Sequence, residues 1–259
     1  MTRINCFLFF IFALAASSMT MHKTAFNVRP DDSKFIVKLD TFTDLSRNRK
    51  IPIAIYQPQS GSTTGPQKVI IFSHGYGQNK GGDYIAYSYL TEYLASKGYF
   101  VASIQHELPT DSLLPLTGIP QIVRRTNWER GAANILFVLN ELKKANPNAD
   151  HKHSVLIGHS NGGDMSMLFA QKYPTLVDRV ISLDNRRVAF PRTKKPRIYS
   201  LRSNDQVADE GVLPTPEEQA KYKITIVPLA NTAHNDMDDH ANHAQREEIR
   251  HLIMSFLKD

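Results

Sequence analysis

One serine in this chain has the setting of a nucleophile. Gly158-His159-Ser160-Asn161-Gly162 has the spacing G-x-S-x-G. It follows the apolar run Val155-Leu156-Ile157 and precedes helical patterning from Met165 to Tyr173. A serine in so tight a strand-to-helix turn has a strained backbone. Side chains two residues either side would strike the neighbouring strand and helix, so Gly158 and Gly162 are required there. The turn exposes the Ser160 hydroxyl at a helix N-terminus, where the helix dipole favours developing negative charge.

A serine hydroxyl is a weak nucleophile until a base takes its proton. The chain has ten histidines. His234 is the favoured base: Ala233-His234-Asn235-Asp236 follows the last strand-like run, and its loop opens at the same sheet edge as Ser160. His159 is expected to point away within its turn. His74 is read as structural, and His240 and His243 as solvent-facing at the start of the last helix. The acid that orients the imidazole has two candidates, both following strands and both between Ser160 and His234. Asp205, in Ser203-Asn204-Asp205, is preferred. Asp184, in Ser182-Leu183-Asp184, is the alternative, and Arg186 and Arg187 beside it suggest an ion pair instead. An oxyanion needs two backbone N–H groups. Asn161, next after the nucleophile, supplies one. Tyr76, in the turn His74-Gly75-Tyr76-Gly77, supplies the other, and its glycines let the backbone approach the substrate.

The elements that must position these residues are legible in the patterning. Phe35–Leu39 and Ile51–Tyr56 are strand-like, and Val69–Phe72 reads as a strand buried on both faces. Ala86, Leu90, Tyr93 and Leu94 share a helical face, with Asp83 as its expected cap and Gly98 as its stop. Tyr99–Ile104 is a strand. Residues 105–125 form a loop with three prolines. Thr126 and Glu129 have capping-box spacing before the stripe Ala132, Ile135, Leu136, Leu139. Val177–Leu183, Ile198–Leu201 and Ile224–Val227 are further strands. Ile249, Leu252, Ile253 and Phe256 mark a last helix, with Asp238 or Asp239 as its expected cap. Strands alternating with helices imply an α/β domain with a mainly parallel sheet and helices on both faces. Ligand sites then lie at the carboxyl ends of the strands.

The Gly158–Gly162 turn, the His74-Gly75 turn and the order nucleophile, acid, histidine together resemble the α/β-hydrolase family. The resemblance spans essentially the whole chain after residue 17. The dienelactone hydrolase, platelet-activating-factor acetylhydrolase and cutinase-like esterase branches are the most similar. It implies a sheet of about eight strands and ester hydrolysis through an acyl-enzyme on Ser160. Those branches place the acid after different strands, so Asp205 and Asp184 both stay open. A thioesterase, peptidase or acyltransferase would use the same parts. A non-catalytic binding protein on this fold is the competing class.

Composition narrows the partners. The 259 residues are 41% hydrophobic and 22% charged, the balance of a globular protein rather than a disordered one. The net charge is +6. It is +5 without Arg3, and no Lys/Arg tract interleaves with aromatics, so nucleic-acid binding is disfavoured. Cys6–Ala16 is apolar but much shorter than the roughly 20 residues of a membrane span. Ala13-Leu14-Ala15 and Ala15-Ala16-Ser17 fit signal-peptidase cleavage. Residues 1–17 are therefore read as a cleaved secretory signal, residues 18–259 as one catalytic domain, and the location as secreted or periplasmic. No stable membrane span is expected after cleavage. Cys6 is the only cysteine, so the mature domain has no disulfide or thiol nucleophile. The spacing of His234, Asp236, Asp238, Asp239 and His240 matches no standard metal loop, so no metal and no cofactor are expected. Only Asp184–Arg197 lies between two strands where lipases of this family insert a cap, so no large cap is expected and the cleft should be open, rimmed by residues 105–125. In the basic segment Arg186–Arg197, only Arg186 and Arg187 leave the catalytic edge and could meet an anionic substrate; a solvated face is the default. The expected partner is a small-molecule ester.

Overall fold

The computed structural model describes residues 34–59 and 65–259. The segment read as a signal, with Cys6, lies outside the described residues. Within them, eight strands form one sheet: β1 (Phe35–Asp44), β2 (Arg49–Pro58), β3 (Lys68–Ser73), β4 (Phe100–Ile104), β5 (Asp150–His159), β6 (Arg179–Leu183), β7 (Arg197–Arg202) and β8 (Thr225–Pro228). Their order is β1-β2-β4-β3-β5-β6-β7-β8. The β1–β2 and β2–β4 pairs are antiparallel, and every later pair is parallel. The helices are α1 (Ser88–Ser96), α2 (Pro120–Val123), α3 (Arg125–Ala145), α4 (Ser160–Lys172), α5 (Pro216–Tyr222) and α6 (His243–Lys258). The expected mainly parallel sheet of about eight strands is present.

The period of two along a strand explains the layers. In β3, Val69 and Ile71 face the core that holds Trp128, Ile135 and Val138 of α3 and Leu168 of α4. Ile70 and Phe72 face the opposite core, with Leu90 and Leu94 of α1 and Ile249, Ile253 and Phe256 of α6. In β5, Leu156 joins the first core, and Val155 and Ile157 the second. All of these strand residues are fully buried. Each contributes about 1.5–3 kcal/mol of transfer free energy. Among the described residues no large cap covers the sheet: Asp184–Arg197 contains no helix.

Gly98 ends the α1 turn at φ 96°, the left-handed conformation that glycine adopts without a Cβ penalty. Three expected caps are different. Asp83 opens a separate short 3-10 turn, Asp83–Ile85, and its carboxylate accepts from Gln105 Nε2 at 3.0 Å. The first amides of α1, Ser88 and Tyr89, donate instead to Asp239, each at 2.9 Å. Asp239 is thus unavailable to α6, whose cap is Asn242 in a capping box with Gln245. The Thr126–Glu129 box does not form, because α2 runs directly into α3 and a turn already precedes the helix. Glu129 pairs with Arg125 and Lys172.

Candidate active site

The carboxyl ends of β3, β5, β6, β7 and β8 meet at one edge of the sheet. Ser160 follows β5 and begins α4, with φ at 51°. This left-handed backbone costs a non-glycine residue roughly 1–2 kcal/mol. The flanking glycines remove what would be a clash. A Cβ on Gly162 would lie 2.3 Å from the Ser73 carbonyl oxygen and 2.4 Å from that of His74. A Cβ on Gly158 would lie 2.4 Å from the Gly162 oxygen and 2.7 Å from Ser166 Oγ. The collisions with strand and helix that the spacing implies are therefore real.

His234 sits in a short 3-10 turn after β8 and is buried. Its Nε2 lies 2.9 Å from Ser160 Oγ, and its Nδ1 lies 2.6 Å from Asp184 Oδ2. With Nδ1–H donating to the carboxylate, Nε2 is free to accept from the serine hydroxyl.

The preferred acid is corrected. Asp205 does not reach the imidazole; its Oδ1 accepts from the backbone N–H of His234 at 2.7 Å, and its side chain is otherwise exposed. Asp184 is the ring's partner. It leaves β6 in the left-handed conformation, at φ 60°. Arg202 Nη2 lies 2.7 Å from its Oδ1, and Ser203 Oγ donates to its Oδ2 at 2.6 Å. Burial opposes its ionisation. The His234 hydrogen bond, the Arg202 charge and the Ser203 hydroxyl outweigh burial and hold the carboxyl below its usual range. Its cationic partner is thus Arg202, not the adjacent Arg186 or Arg187.

His159 points away from Ser160 but is not idle. The Tyr87 hydroxyl accepts from Gly75 N–H at 3.0 Å and donates to His159 Nδ1 at 2.7 Å. His159 Nε2–H then donates to the His234 carbonyl at 3.0 Å. One line of hydrogen bonds ties the Gly75–Gly77 turn to the His234 loop. Burial, and then the neighbouring His234, push the His159 imidazole down to about 3. It therefore stays neutral beside His234, whose ring is 4.8 Å away. His74 is structural, as read: its Nδ1 donates to the Gly75 carbonyl at 2.6 Å and its Nε2 accepts from His106 N–H at 3.0 Å.

Asn161 lies in the first turn of α4, where backbone N–H groups have no intrahelical acceptor. Its side chain is fixed by a buried network that the sequence reading missed. Asn161 Oδ1 accepts from Trp128 Nε1 at 2.8 Å. Its Nδ2 donates to Glu107 Oε1 at 2.8 Å and to Asn127 Oδ1 at 2.9 Å. Burial raises the Glu107 carboxyl above its usual range. The one signal available was composition: Trp128 is the only tryptophan, and a buried indole N–H needs an acceptor.

Tyr76 faces the same space. Its hydroxyl accepts from Leu114 N–H at 2.9 Å. Ser160, Asn161, Tyr76 and His234 line a cavity of about 270 Å³ with Leu114, Leu116, Arg124, Asp164, Arg186 and Arg187. The rim is the 105–125 segment, as expected. It exposes Leu113, Leu116, Ile119 and Ile122.

The arrangement can raise a serine nucleophile, return a proton through an oriented imidazole, and offer helix-end donors to an anion. Structural comparison gives the fold its name. No family model and no curated protein sequence matches the chain. Among solved structures, an esterase from Rhizomucor miehei superposes with a TM-score of 0.63 at 16% identity, covering 88% of this chain and 83% of that one. A dienelactone hydrolase-like promiscuous phosphotriesterase from metagenomic libraries gives 0.62 at 14%, covering 87% and 98%. A putative dienelactone hydrolase from Klebsiella pneumoniae gives 0.61 at 13%, covering 87% and 99%. The chain has the α/β-hydrolase fold.

Proposed function

We propose that this α/β-hydrolase-fold protein is a serine hydrolase that cleaves carboxylic esters through an acyl-enzyme on Ser160. One observation carries the reading: the continuous line Ser160 Oγ, His234 Nε2, His234 Nδ1, Asp184 Oδ2, with steps of 2.9 and 2.6 Å. The esterases among its structural neighbours support it.

In the first half-reaction Ser160 Oγ bonds to the substrate carbonyl carbon as its proton passes to His234 Nε2. The carbonyl oxygen becomes an oxyanion, held by the backbone N–H groups of Tyr76 and Asn161. Asp184 stabilises the imidazolium without taking its proton. The intermediate collapses, the C–O bond to the alcohol breaks, and the leaving oxygen takes the proton from His234. Water then attacks the acyl-enzyme by the same route, releasing the acid and restoring Ser160. Export belongs to the same proposal: residues 1–17 act as a cleaved signal, which the N-terminal sequence of the exported protein tests.

The test is fluorophosphonate labelling of the purified protein, mapped by peptide mass, beside hydrolysis of short p-nitrophenyl esters. Label on Ser160 and ester turnover, both lost in Ser160→Ala, are expected. A folded protein with neither refutes the reading and leaves the binding-protein class.

A further inference from the structure

Three arginines line the cavity that holds Ser160: Arg124, from the turn before α3, and Arg186 and Arg187, from the loop after β6. They come from separate parts of the chain and converge on one small space. Two of the three differ in pairing from Arg192 and Arg197 further along the chain. Arg192 is matched to Glu218 and Arg197 to Asp259, both away from the cavity. Among the described residues, neither Arg124 nor Arg186 has a carboxylate within ion-pair distance. Arg124 Nε donates to the Pro115 carbonyl at 2.9 Å. Arg186 donates to the Gln206 amide oxygen. Arg187 pairs with Asp209 through Nη1, while its Nε is buried without a hydrogen-bond partner.

Asp164 is the carboxylate on the cavity wall; its charge offsets one of the three arginines, but it forms no ion pair with any of them. Its Oδ1 is already taken by the N–H groups of Arg187 and Val188, at 2.9 and 2.8 Å, and by Asn185 Nδ2 at 3.3 Å. Against the three guanidinium groups stand Asp164 and Asp209, while Asp184 is matched by Arg202, which leaves the cluster net positive among the described residues. Like charges held together in a partly desolvated space are costly until an anion joins them. Burial, and then the charges of Arg187 and Arg186, disfavour the charged form of Arg124.

We infer that the substrate is an ester carrying a free carboxylate, which Arg124, Arg186 and Arg187 bind while Ser160 attacks the ester carbonyl. The guanidinium fork matches a carboxylate in two parallel hydrogen bonds. The cavity lies near the lower end of the range for small-molecule sites, roughly 300 Å³, so the substrate is short. Leu114 and Leu116 supply an apolar wall for the segment between the two groups. This inference rests on the serine-esterase reading.

The test compares matched ester pairs. On the acyl side, the mono-4-nitrophenyl ester of glutarate is set against its methyl-capped counterpart. On the alcohol side, 3-acetoxybenzoate is set against methyl 3-acetoxybenzoate. In at least one pair the carboxylate member is expected to have kcat/KM about tenfold or more above the neutral member, since hydrogen bonds to an ionised group are roughly twice as strong as neutral ones. The winning pair tells which side of the ester carries the charge. Arg124→Gln should bring that ratio toward one, while Arg197→Gln, outside the cavity, should keep it. Fluorophosphonate labelling of Ser160 in the Arg124→Gln protein reports that its site is still assembled. Neutral esters turned over as well as charged ones in both pairs, or a preference unchanged in a labelled Arg124→Gln protein, overturns the inference and leaves the esterase reading standing. No turnover of any of the four esters overturns the inference, and the esterase reading falls with it only when Ser160 labelling and hydrolysis of short p-nitrophenyl esters are absent as well.

Discussion

Asp184 and Asp205 grip the same histidine by different atoms. Asp184 Oδ2 holds the His234 ring at Nδ1, 2.6 Å away, and Asp205 Oδ1 holds the His234 backbone N–H, 2.7 Å away. Only the first can set the tautomer. In Asp184→Asn an amide NH₂ facing Nδ1 favours the proton on Nε2, and Nε2 then cannot accept from Ser160. A fall in kcat of about 10⁴-fold is expected, as for loss of a triad acid elsewhere. Asp205→Ala should cost far less, because it loosens a loop and leaves the ring partner in place. Steady-state kinetics of the two variants decide the matter; a larger loss in Asp205→Ala would reverse the assignment.

Gly162 tolerates no side chain. Its added Cβ meets two backbone oxygens, at 2.3 and 2.4 Å, and backbone cannot rotate aside as a side chain can. Gly162→Ala is expected to destabilise by about 3 kcal/mol or more, beyond the usual overpacking cost. Gly82, at φ 84° with open space around it, offers a comparison. Gly82→Ala meets only backbone strain, about 1 kcal/mol. Thermal denaturation of both would show the ranking, and equal losses would mean that the elbow can relax.

Trp128 should matter to catalysis without touching substrate. Trp128→Phe keeps the buried ring but leaves Asn161 Oδ1 without its donor, at a cost of about 1–3 kcal/mol in stability. If the Asn161 N–H holds the oxyanion, the looser anchor lowers kcat by about tenfold and leaves KM nearly unchanged. A change in KM alone would move Trp128 to a purely structural role.

Asp164 gives a pH signature. Burial pushes its carboxyl up to about 6 from an ordinary 3.8. Folding therefore favours the protonated form. That contribution is full below the unfolded value and is lost as pH rises through about 6. Asp164→Asn keeps an Oδ1 acceptor and removes the charge. The variant should be more stable than the parent at about pH 7.5, by something on the order of 2–3 kcal/mol, with the gain gone near about pH 4. Denaturant midpoints at the two pH values test this, and a gain independent of pH would contradict it.

What was legible in the chain was what is local. The Gly158–Gly162 spacing located Ser160, because the elbow is built from five consecutive residues. The unbroken run Val69–Phe72 marked a strand buried on both sides, and its residues alternate between the two cores. His234 is legible because the last strand aims its loop at the same edge. Position along the chain cannot distinguish Asp184 from Asp205, because both follow strands. The difference lies in a left-handed turn at Asp184 and in Arg202 and Ser203, which reach it from the next strand. Long-range partners of this kind leave no local pattern. The cap of α1 is another, since Asp239 lies far along the chain from Ser88 and Tyr89.

That cap also makes the protein's own backbone a clock. The Ser88 and Tyr89 amide protons are held by a carboxylate five residues past His234, and the Tyr89 hydroxyl donates to the Met237 carbonyl at 3.1 Å. These amides exchange with solvent deuterium only when the segment after His234 lifts from α1. Deuterium uptake at the start of α1 thus times the opening of the loop that carries His234, with no ligand bound and no residue replaced.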